Sequence, residues 1–225
     1  GFKLSYKKAK QFYGEELQEL YQTISTEDFT VKSGEKKSAD LNVKYFEFLQ
    51  NEFFFDRKFK IALNLRNGTI ANFVDELFPD SKFEKFILFG DSNGDYPNGI
   101  ANPELTDVKK ELSEFVLANN CDVGFSFDVD GDRWCACDEK GNNYENDKML
   151  LFFSKYLKKL NNDNIYFDVK SSFICEEEIS KLGGIPTRLE TGRPAFFEKM
   201  QKDGFIGAEF SGHTYFGGEY YGYDD

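Results

Sequence analysis

The segment Phe127-Asp128-Val129-Asp130-Gly131-Asp132-Arg133 directly follows the apolar stretch from Val123. Three carboxylates at alternate positions of a Gly-containing turn can converge on one hard cation. Oxygen donors suit Mg²⁺ or Ca²⁺, and a metal is the natural counter-charge for their mutual repulsion. A plainer reading is a solvated acidic turn after a strand. A second candidate is Glu209-Phe210-Ser211-Gly212-His213, which contains the only histidine of the chain. An imidazole titrates near neutrality and suits proton transfer, although a surface position for His213 is equally compatible with its sequence. Arg193, in Thr191-Gly192-Arg193-Pro194, is either a solvated charge before a helix or a contact to a ligand.

Three metal-loop readings compete for Asp128 to Arg133. An EF-hand requires Gly at its sixth position, where counting from Asp128 puts Arg133, so it is rejected even though Glu139 falls on the twelfth. Asp128-Val129-Asp130-Gly131 is similar to the Asp-x-Asp-Gly of haloacid-dehalogenase phosphatases, in which Asp128 would be a nucleophile. That motif normally opens its domain, whereas more than half of this chain precedes it, and Asp132-Arg133 replaces the usual Thr and apolar pair. The third reading needs the rest of the chain.

The elements that would position these residues follow from hydrophobic spacing. Phe2 to Tyr6 can form a short strand. Leu17, Leu20, Tyr21 and Ile24 recur at i, i+3, i+4 and i+7 and predict a helix, with a second over Leu41 to Phe53. Between them, Ser25 to Asp40 is polar and reads as a loop or domain tail. Then strands (Lys60 to Leu65, Phe86 to Phe89, Val123 to Phe127) alternate with helices (Ile70 to Phe78, and one carrying Leu105, Val108, Leu112, Phe115 and Val116). After the acidic turn the rhythm restarts: helix Asp147 to Leu160, strand Ile165 to Val169, helix Phe173 to Leu182, strand Thr187 to Leu189, helix Ala195 to Lys202, strand Phe205 to Glu209. This pattern predicts an α/β fold of consecutive βα domains with mixed, mostly parallel sheets and chemistry at the carboxyl ends of strands.

Composition bounds the function. The 225 residues accommodate two domains. Forty acidic against 28 basic side chains give a formal charge of −12, which repels a nucleic-acid backbone, so no nucleic-acid partner is expected. No apolar stretch approaches the ~20 residues of a membrane helix, so no membrane partner is expected either. Cys121, Cys135, Cys137 and Cys175 match no zinc spacing and are expected to be reduced core thiols of a cytoplasmic protein.

The chain resembles the α-D-phosphohexomutase superfamily, the phosphomannomutases and phosphoglucomutases, through an ordered set of segments running from its first residue to its last. Asp128 to Arg133 resembles the metal loop Asp-Gly-Asp-x-Asp-Arg. Gly1-Phe2-Lys3 resembles the segment after the catalytic serine loop. Asn67-Gly68, Asp95-Tyr96-Pro97-Asn98 and Asn102-Pro103-Glu104 resemble landmarks of the second domain. Asp168-Val169-Lys170-Ser171-Ser172 resembles the Asp-Val-Lys strand end, Gly207 to His213 the Gly-Glu-x-Ser-Gly-His sugar loop, and Tyr221-Gly222-Tyr223-Asp224-Asp225 the Phe-Gly-x-Asp-Asp segment.

The resemblance implies interconversion of hexose 1- and 6-phosphates through a phosphoserine and a hexose 1,6-bisphosphate, with these hexose phosphates as partners. It implies Mg²⁺ held by Asp128, Asp130 and Asp132, and a phosphate positioned by Arg133. Lys3 and His213 fall near the reacting hydroxyl. Glu209 and Ser211 match the loop gripping the sugar hydroxyls, Lys170 lines the sugar site, and Arg193 stands where bacterial bifunctional enzymes usually carry His. Val129 replaces a Gly of the metal loop, and Phe197 falls where Lys is frequent. The implied organisation is 1–40 as the tail of a first domain, 41–142 as a second with the metal loop, and 143–225 as a third, truncated, with the sugar loop. The serine loop and a fourth domain with its phosphate clamp are expected outside these residues. The alternatives that stay open are a non-catalytic remnant that binds a phosphosugar or a partner, and the phosphatase.

Overall fold

Helices form where the i, i+3, i+4 spacing predicts them near the N-terminus, at Glu15–Ser25 (α1) and Asn42–Glu52 (α2). The apolar stripe of α1 nevertheless stays exposed at Leu17, Tyr21 and Ile24. The computed structural model describes residues 4–7, 10–52 and 55–223. The predicted strand over Phe2 to Tyr6 is reduced among the described residues to one isolated bridge, Ser5 to Gln11, with no neighbouring strand to extend it.

Phe59–Asn64 (β1) ends in four consecutive buried residues, the signature of a strand covered on both faces. Ala62 packs with Leu112, Val116 and three cysteines on one side. Ile61, Leu63 and Leu65 pack with Val74 and several phenylalanines on the other. Burying each such side chain is worth about 1.5–3 kcal/mol before the entropy of ordering is set against it. After β1 the predicted helix over Ile70 to Phe78 is instead a 3₁₀ segment, Thr69–Phe73, followed by the single turn Val74–Leu77 (α3). The cause is tertiary: the Thr69 N–H and hydroxyl both donate to the Val129 carbonyl, at 2.8 and 3.1 Å, so the first turn is drawn onto the acidic loop.

The remaining elements of the first sheet are Phe83–Leu88 (β2), Thr106–Asn119 (α4), Val123–Phe127 (β3), Trp134–Asp138 (β4) and Asn143–Tyr144 (β5). The sheet order is β2-β1-β3-β4-β5, with β1 parallel to β2 and β3 and the β3–β4–β5 pairs antiparallel.

A second sheet is built from Asn146–Tyr156 (α5), Asn164–Asp168 (β6), Ile174–Lys181 (α6), Ile185–Leu189 (β7), Arg193–Asp203 (α7), Gly204–Ala208 (β8) and Thr214–Phe216 (β9). Its order is β7-β6-β8-β9, parallel except for the β8–β9 pair. Along β6 the period-two alternation sends Ile165 and Phe167 into one cluster with Leu150, Cys175 and Ile179, and Tyr166 into another with Phe196 and Met200. All four cysteines are free and buried.

Candidate active site

The acidic loop is the connection between β3 and β4, closed by a 3.1 Å bond from the Asp128 N–H to the Arg133 carbonyl. Asp128 is 3% exposed, and its Oδ1 accepts the amides of Gly131 and Arg133 at 3.0 and 3.2 Å. Its Oδ2 accepts Arg133 Nε at 2.8 Å. Burial pushes the Asp128 carboxyl above the usual carboxylate range, against the opposing pull of the Arg133 bonds. The left-handed position of the turn is Gly131, at φ 85°, which leaves Val129 an ordinary conformation. Carboxylate oxygens of Asp128, Asp130 and Asp132 lie within 4.8 Å of one another. An all-oxygen donor set of this kind fits a hard divalent cation, with Asp130 exposed on the open side for exchange.

The turn after β1 braces this loop. A Cβ on Gly68 would lie 2.9 and 2.8 Å from the carbonyl oxygens of Asp128 and Val129, so only glycine permits the approach. The neighbouring Arg66 and Asn67 are left-handed (φ 46° and 60°) and tie down the loop after β2. Asn67 Nδ2 donates to the Asp91 carbonyl at 2.8 Å, and Asn98 Nδ2 donates to Asn67 Oδ1 at 2.8 Å.

The Glu209 to His213 loop joins β8 to β9 and lies against the acidic loop. Gly212 sits at φ 110°, where a Cβ would come within 2.9 Å of the Trp134 nitrogen and 3.0 Å of its oxygen. Trp134 Nε1 donates to Thr214 Oγ1 at 3.1 Å, and Thr214 donates to Asn146 Oδ1 at 3.2 Å. The buried Asn146 amide then donates to the carbonyls of Glu209 and His213, at 2.9 and 2.7 Å. His213 Nδ1 is 3.8 Å from Asp132, and Arg193 Nη2 donates to Asp132 Oδ2 at 2.8 Å. Glu209 is 2% exposed, and its carboxylate accepts the Gly192 N–H at 2.8 Å and the Tyr215 hydroxyl at 2.5 Å. It therefore fixes the Gly192 turn from which Arg193 reaches Asp132.

Against this geometry, residues 43–141 match the family described as phosphoglucomutase/phosphomannomutase alpha/beta/alpha domain II, and residues 145–225 match its domain III. The chain belongs to the phosphoglucomutase/phosphomannomutase family. It is 29% identical over 213 residues to a phosphomannomutase/phosphoglucomutase of Pseudomonas syringae pv. tomato, covering 94% of this chain and 46% of that protein. A phosphomannomutase of Vibrio cholerae is 31% identical over 166 residues, covering 70% of this chain and 35% of that protein. A crystal structure of a family protein from Burkholderia thailandensis superposes with a TM-score of 0.88 at 27% identity, covering 95% of this chain and 47% of that one. The chain thus spans about half the length of the relatives it matches. Membership in this family, carried by both sheets, replaces the phosphatase reading of the Asp128 loop.

Of the residues singled out from the sequence, Asp128, Asp130, Asp132, Arg133, Arg193 and His213 come together, with Glu209 one residue behind Arg193 through Gly192. Ser211 is half-buried in the same loop, and Lys170 is exposed on the turn after β6. Lys3, Asp224 and Asp225 lie outside the described residues.

Sequence reasoning passed over Asp168 as a site organiser. It is fully buried and accepts the Ser171 amide and hydroxyl, the Phe210 amide and the Thr191 hydroxyl, at 3.1, 2.8, 3.2 and 3.2 Å. One carboxylate thereby joins the ends of β6, β7 and β8. Arg188 clamps the same turn through the carbonyls of Asp168, Val169 and Ser171 at 3.0, 3.2 and 2.7 Å. The available signal was an acid at the end of the apolar run Ile165-Tyr166-Phe167. A cavity of about 450 Å³ lined mainly by apolar side chains, among them Phe55, Phe59, Phe78, Phe83 and Phe125, with Gln50 and Lys82 also in its wall, lies at the opposite ends of the strands, away from these loops.

Proposed function

We propose that this chain supplies the metal loop and the sugar loop of a Mg²⁺-dependent phosphohexomutase that interconverts the 1- and 6-phosphates of mannose, glucose or both. The phosphoryl group would pass from a phosphoserine to the sugar hydroxyl, giving a hexose 1,6-bisphosphate, and the other phosphate would return to the serine. The serine is expected on a segment other than these residues, since Ser5, Ser126 and Ser211 do not sit in a serine loop of the family type. The second and third domains are proposed to span 41–142 and 143–225, after a first-domain tail over 1–40.

The observation that carries the proposal is the meeting of two loops from two sheets: His213 Nδ1 lies 3.8 Å from Asp132, and Gly212 is seated on the Trp134 backbone. A phosphosugar held by one loop would present its reacting end to the other. Asp128, Asp130 and Asp132 are the residues to hold Mg²⁺, which when bound would neutralise charge on the transferring phosphoryl. Arg133 offers a planar fork to phosphate oxygens. His213, with Lys3, would take or return the proton of the reacting hydroxyl. Ser211 and Lys170 would meet the sugar; Glu209, which the resemblance assigns to the sugar hydroxyls, is 2% exposed with its oxygens bonded to Gly192 and Tyr215, and would hold the loop in shape for it. A cytoplasmic setting fits four free, buried thiols. Among the described residues no helix is long and apolar enough to cross a membrane.

The test is Mg²⁺ calorimetry on this chain and on Asp130→Ala, with and without glucose 1-phosphate, beside a coupled mutase assay. Saturable binding that the substitution abolishes, with hexose phosphate bound by the same protein, is the expected result. Absence of metal binding by the unaltered chain would favour a non-catalytic remnant.

A further inference from the structure

Trp134, Asn146 and Thr214 open β4, α5 and β9, and their side chains meet between the two sheets. Their hydrogen bonds can run in one direction only. An indole N–H donates and cannot accept, so Trp134 Nε1 gives its proton to Thr214 Oγ1 at 3.1 Å. The hydroxyl turns its own proton to Asn146 Oδ1 at 3.2 Å. That bond fixes which end of the Asn146 amide is oxygen, and the nitrogen then faces the carbonyls of Glu209 and His213 at 2.9 and 2.7 Å. The two N–H bonds of one buried amide thus hold both ends of the Glu209 to His213 loop. The same loop is closed by the Glu209 N–H on the His213 carbonyl at 3.0 Å and the Gly212 N–H on the Glu209 carbonyl at 3.1 Å.

Asn146 is anchored through its neighbours in sequence. Glu145 accepts Lys109 Nζ of α4 with both oxygens, each at 2.7 Å, and Asp147 accepts the Ser172 N–H after β6 at 3.0 Å. Residues 145–147 therefore tie α4 of the first sheet, the β8–β9 loop and the turn after β6 to one helix start. At the other end of the relay, Trp134 directly follows Arg133 of the acidic loop. We propose that Asn146, oriented by Thr214 and Trp134, is a positioning residue that sets His213 for proton transfer beside the acidic loop. It acts through the His213 main chain and leaves the imidazole with Nδ1 3.8 Å from Asp132. The assignment rests on the reading of His213 given above and adds the residues that hold it. Displacing a reacting group by about 1 Å can cost on the order of 100-fold in rate, so a relay of three neutral side chains is enough to matter for the reaction.

Two substitutions at one position separate this role from packing. Thr214→Val keeps the shape and removes both hydroxyl bonds, whereas Thr214→Ser keeps the hydroxyl and removes a methyl group. Hydrogen exchange of the Glu209 and Gly212 amides, read by NMR on the metal-free 225-residue chain, is the first measurement. It should quicken about two- to tenfold in Thr214→Val and in Asn146→Ala, and stay near the unaltered rate in Thr214→Ser. Packing alone predicts the opposite order, with Thr214→Ser faster than Thr214→Val, and that order overturns the proposal. Equal rates in all four proteins, or a rise shared equally by the amides of β1, overturn it as well. The position of His213 is read by adding Mn²⁺, since the chain has one histidine and its ring signals are unambiguous. Their paramagnetic broadening should fall several-fold in Thr214→Val and persist in Thr214→Ser; broadening that Thr214→Val leaves unchanged overturns the positioning of His213. An unaltered chain whose ring signals no concentration of Mn²⁺ broadens sinks the metal reading alone, and the order of exchange rates still decides the relay.

Discussion

Replacing Gly68 with alanine adds one methyl group, at a backbone angle (φ −74°) that alanine adopts freely. Any effect must then come from what the methyl meets. The built Cβ lies 2.8 Å from the Val129 oxygen, 2.9 Å from the Asp128 oxygen and 3.1 Å from the Leu65 oxygen. Carbon–oxygen contacts normally begin at about 3.3 Å, so the acidic loop must retreat by roughly half an ångström. The neighbours are main-chain atoms of a loop closed by its own hydrogen bonds, and no flexible side-chain tip can give way. Overpacking of this kind costs about 1–3 kcal/mol, and for a chain of this size each kcal/mol lowers Tm by about 2–4 °C. The retreat also strains the Thr69 bonds to Val129, which hold the loop toward the first sheet. Shifting groups that orient metal ligands typically costs 10- to 100-fold in metal affinity.

The assay is a pair of measurements on Gly68→Ala, thermal unfolding and Mn²⁺ titration, with Gly94→Ala as the comparison because nothing lies within 4 Å of a Cβ there. Gly94→Ala should leave both within error, as surface substitutions generally do. A Gly68→Ala protein with unchanged Tm and unchanged Mn²⁺ affinity would refute the claim that the turn after β1 braces the acidic loop.

Two further outcomes follow from the same geometry. Tyr215→Phe removes the hydroxyl that donates to buried Glu209, and leaving that carboxylate short of a donor should cost about 1–3 kcal/mol in urea unfolding; no loss would mean the bond is not stabilising. Asp138 on β4 accepts from Asn142, Tyr144 and the Lys140 amide, with the Asn142 side-chain bond foremost, and its pKa falls from 3.8 to about 2. A depressed folded-state value means its contribution is complete above about pH 3.8 and is lost as pH falls through about 2, so Asp138→Asn should flatten the decline of Tm across that window, and an unchanged slope would remove this account.

What could be read in the sequence was local. The run at Lys60 to Leu65 announced a strand, and Asp128, Asp130 and Asp132 announced a cluster by spacing alone. The helix expected over Ile70 to Phe78 broke down because its first donors go to Val129, a carbonyl 60 residues away. No window of sequence contains that partner. The Glu209 to His213 loop was legible in residue type but not in orientation: Glu209 points inward because Gly192, 17 residues earlier, and Tyr215 supply donors to it. Asp168 was legible within a strand end that resembles the family's but not as an organiser, since its donors come from three separate loops that meet only in the fold. The pairing of Arg193 with Asp132 likewise joins two sheets, and no spacing in the sequence links the two residues.

Every loop at this site leaves the carboxyl end of a parallel strand: β1 gives the Gly68 brace, β3 the aspartates, β6 the Asp168 turn, β7 the Arg193 turn and β8 the Glu209 loop. Parallel pairing forces this, because strands running the same way deliver all their following loops to one edge. The two sheets then meet through Trp134, Thr214, Asn146 and Gly212, by an indole–hydroxyl bond, the buried Asn146 amide and a close backbone approach at Gly212. Separating the sheets would break the Trp134–Thr214 bond and the Arg193–Asp132 pair at once, since both cross the same seam. The indole and amide contacts are neutral and the Arg193–Asp132 pair is charged, so raised ionic strength should weaken only the second of the two.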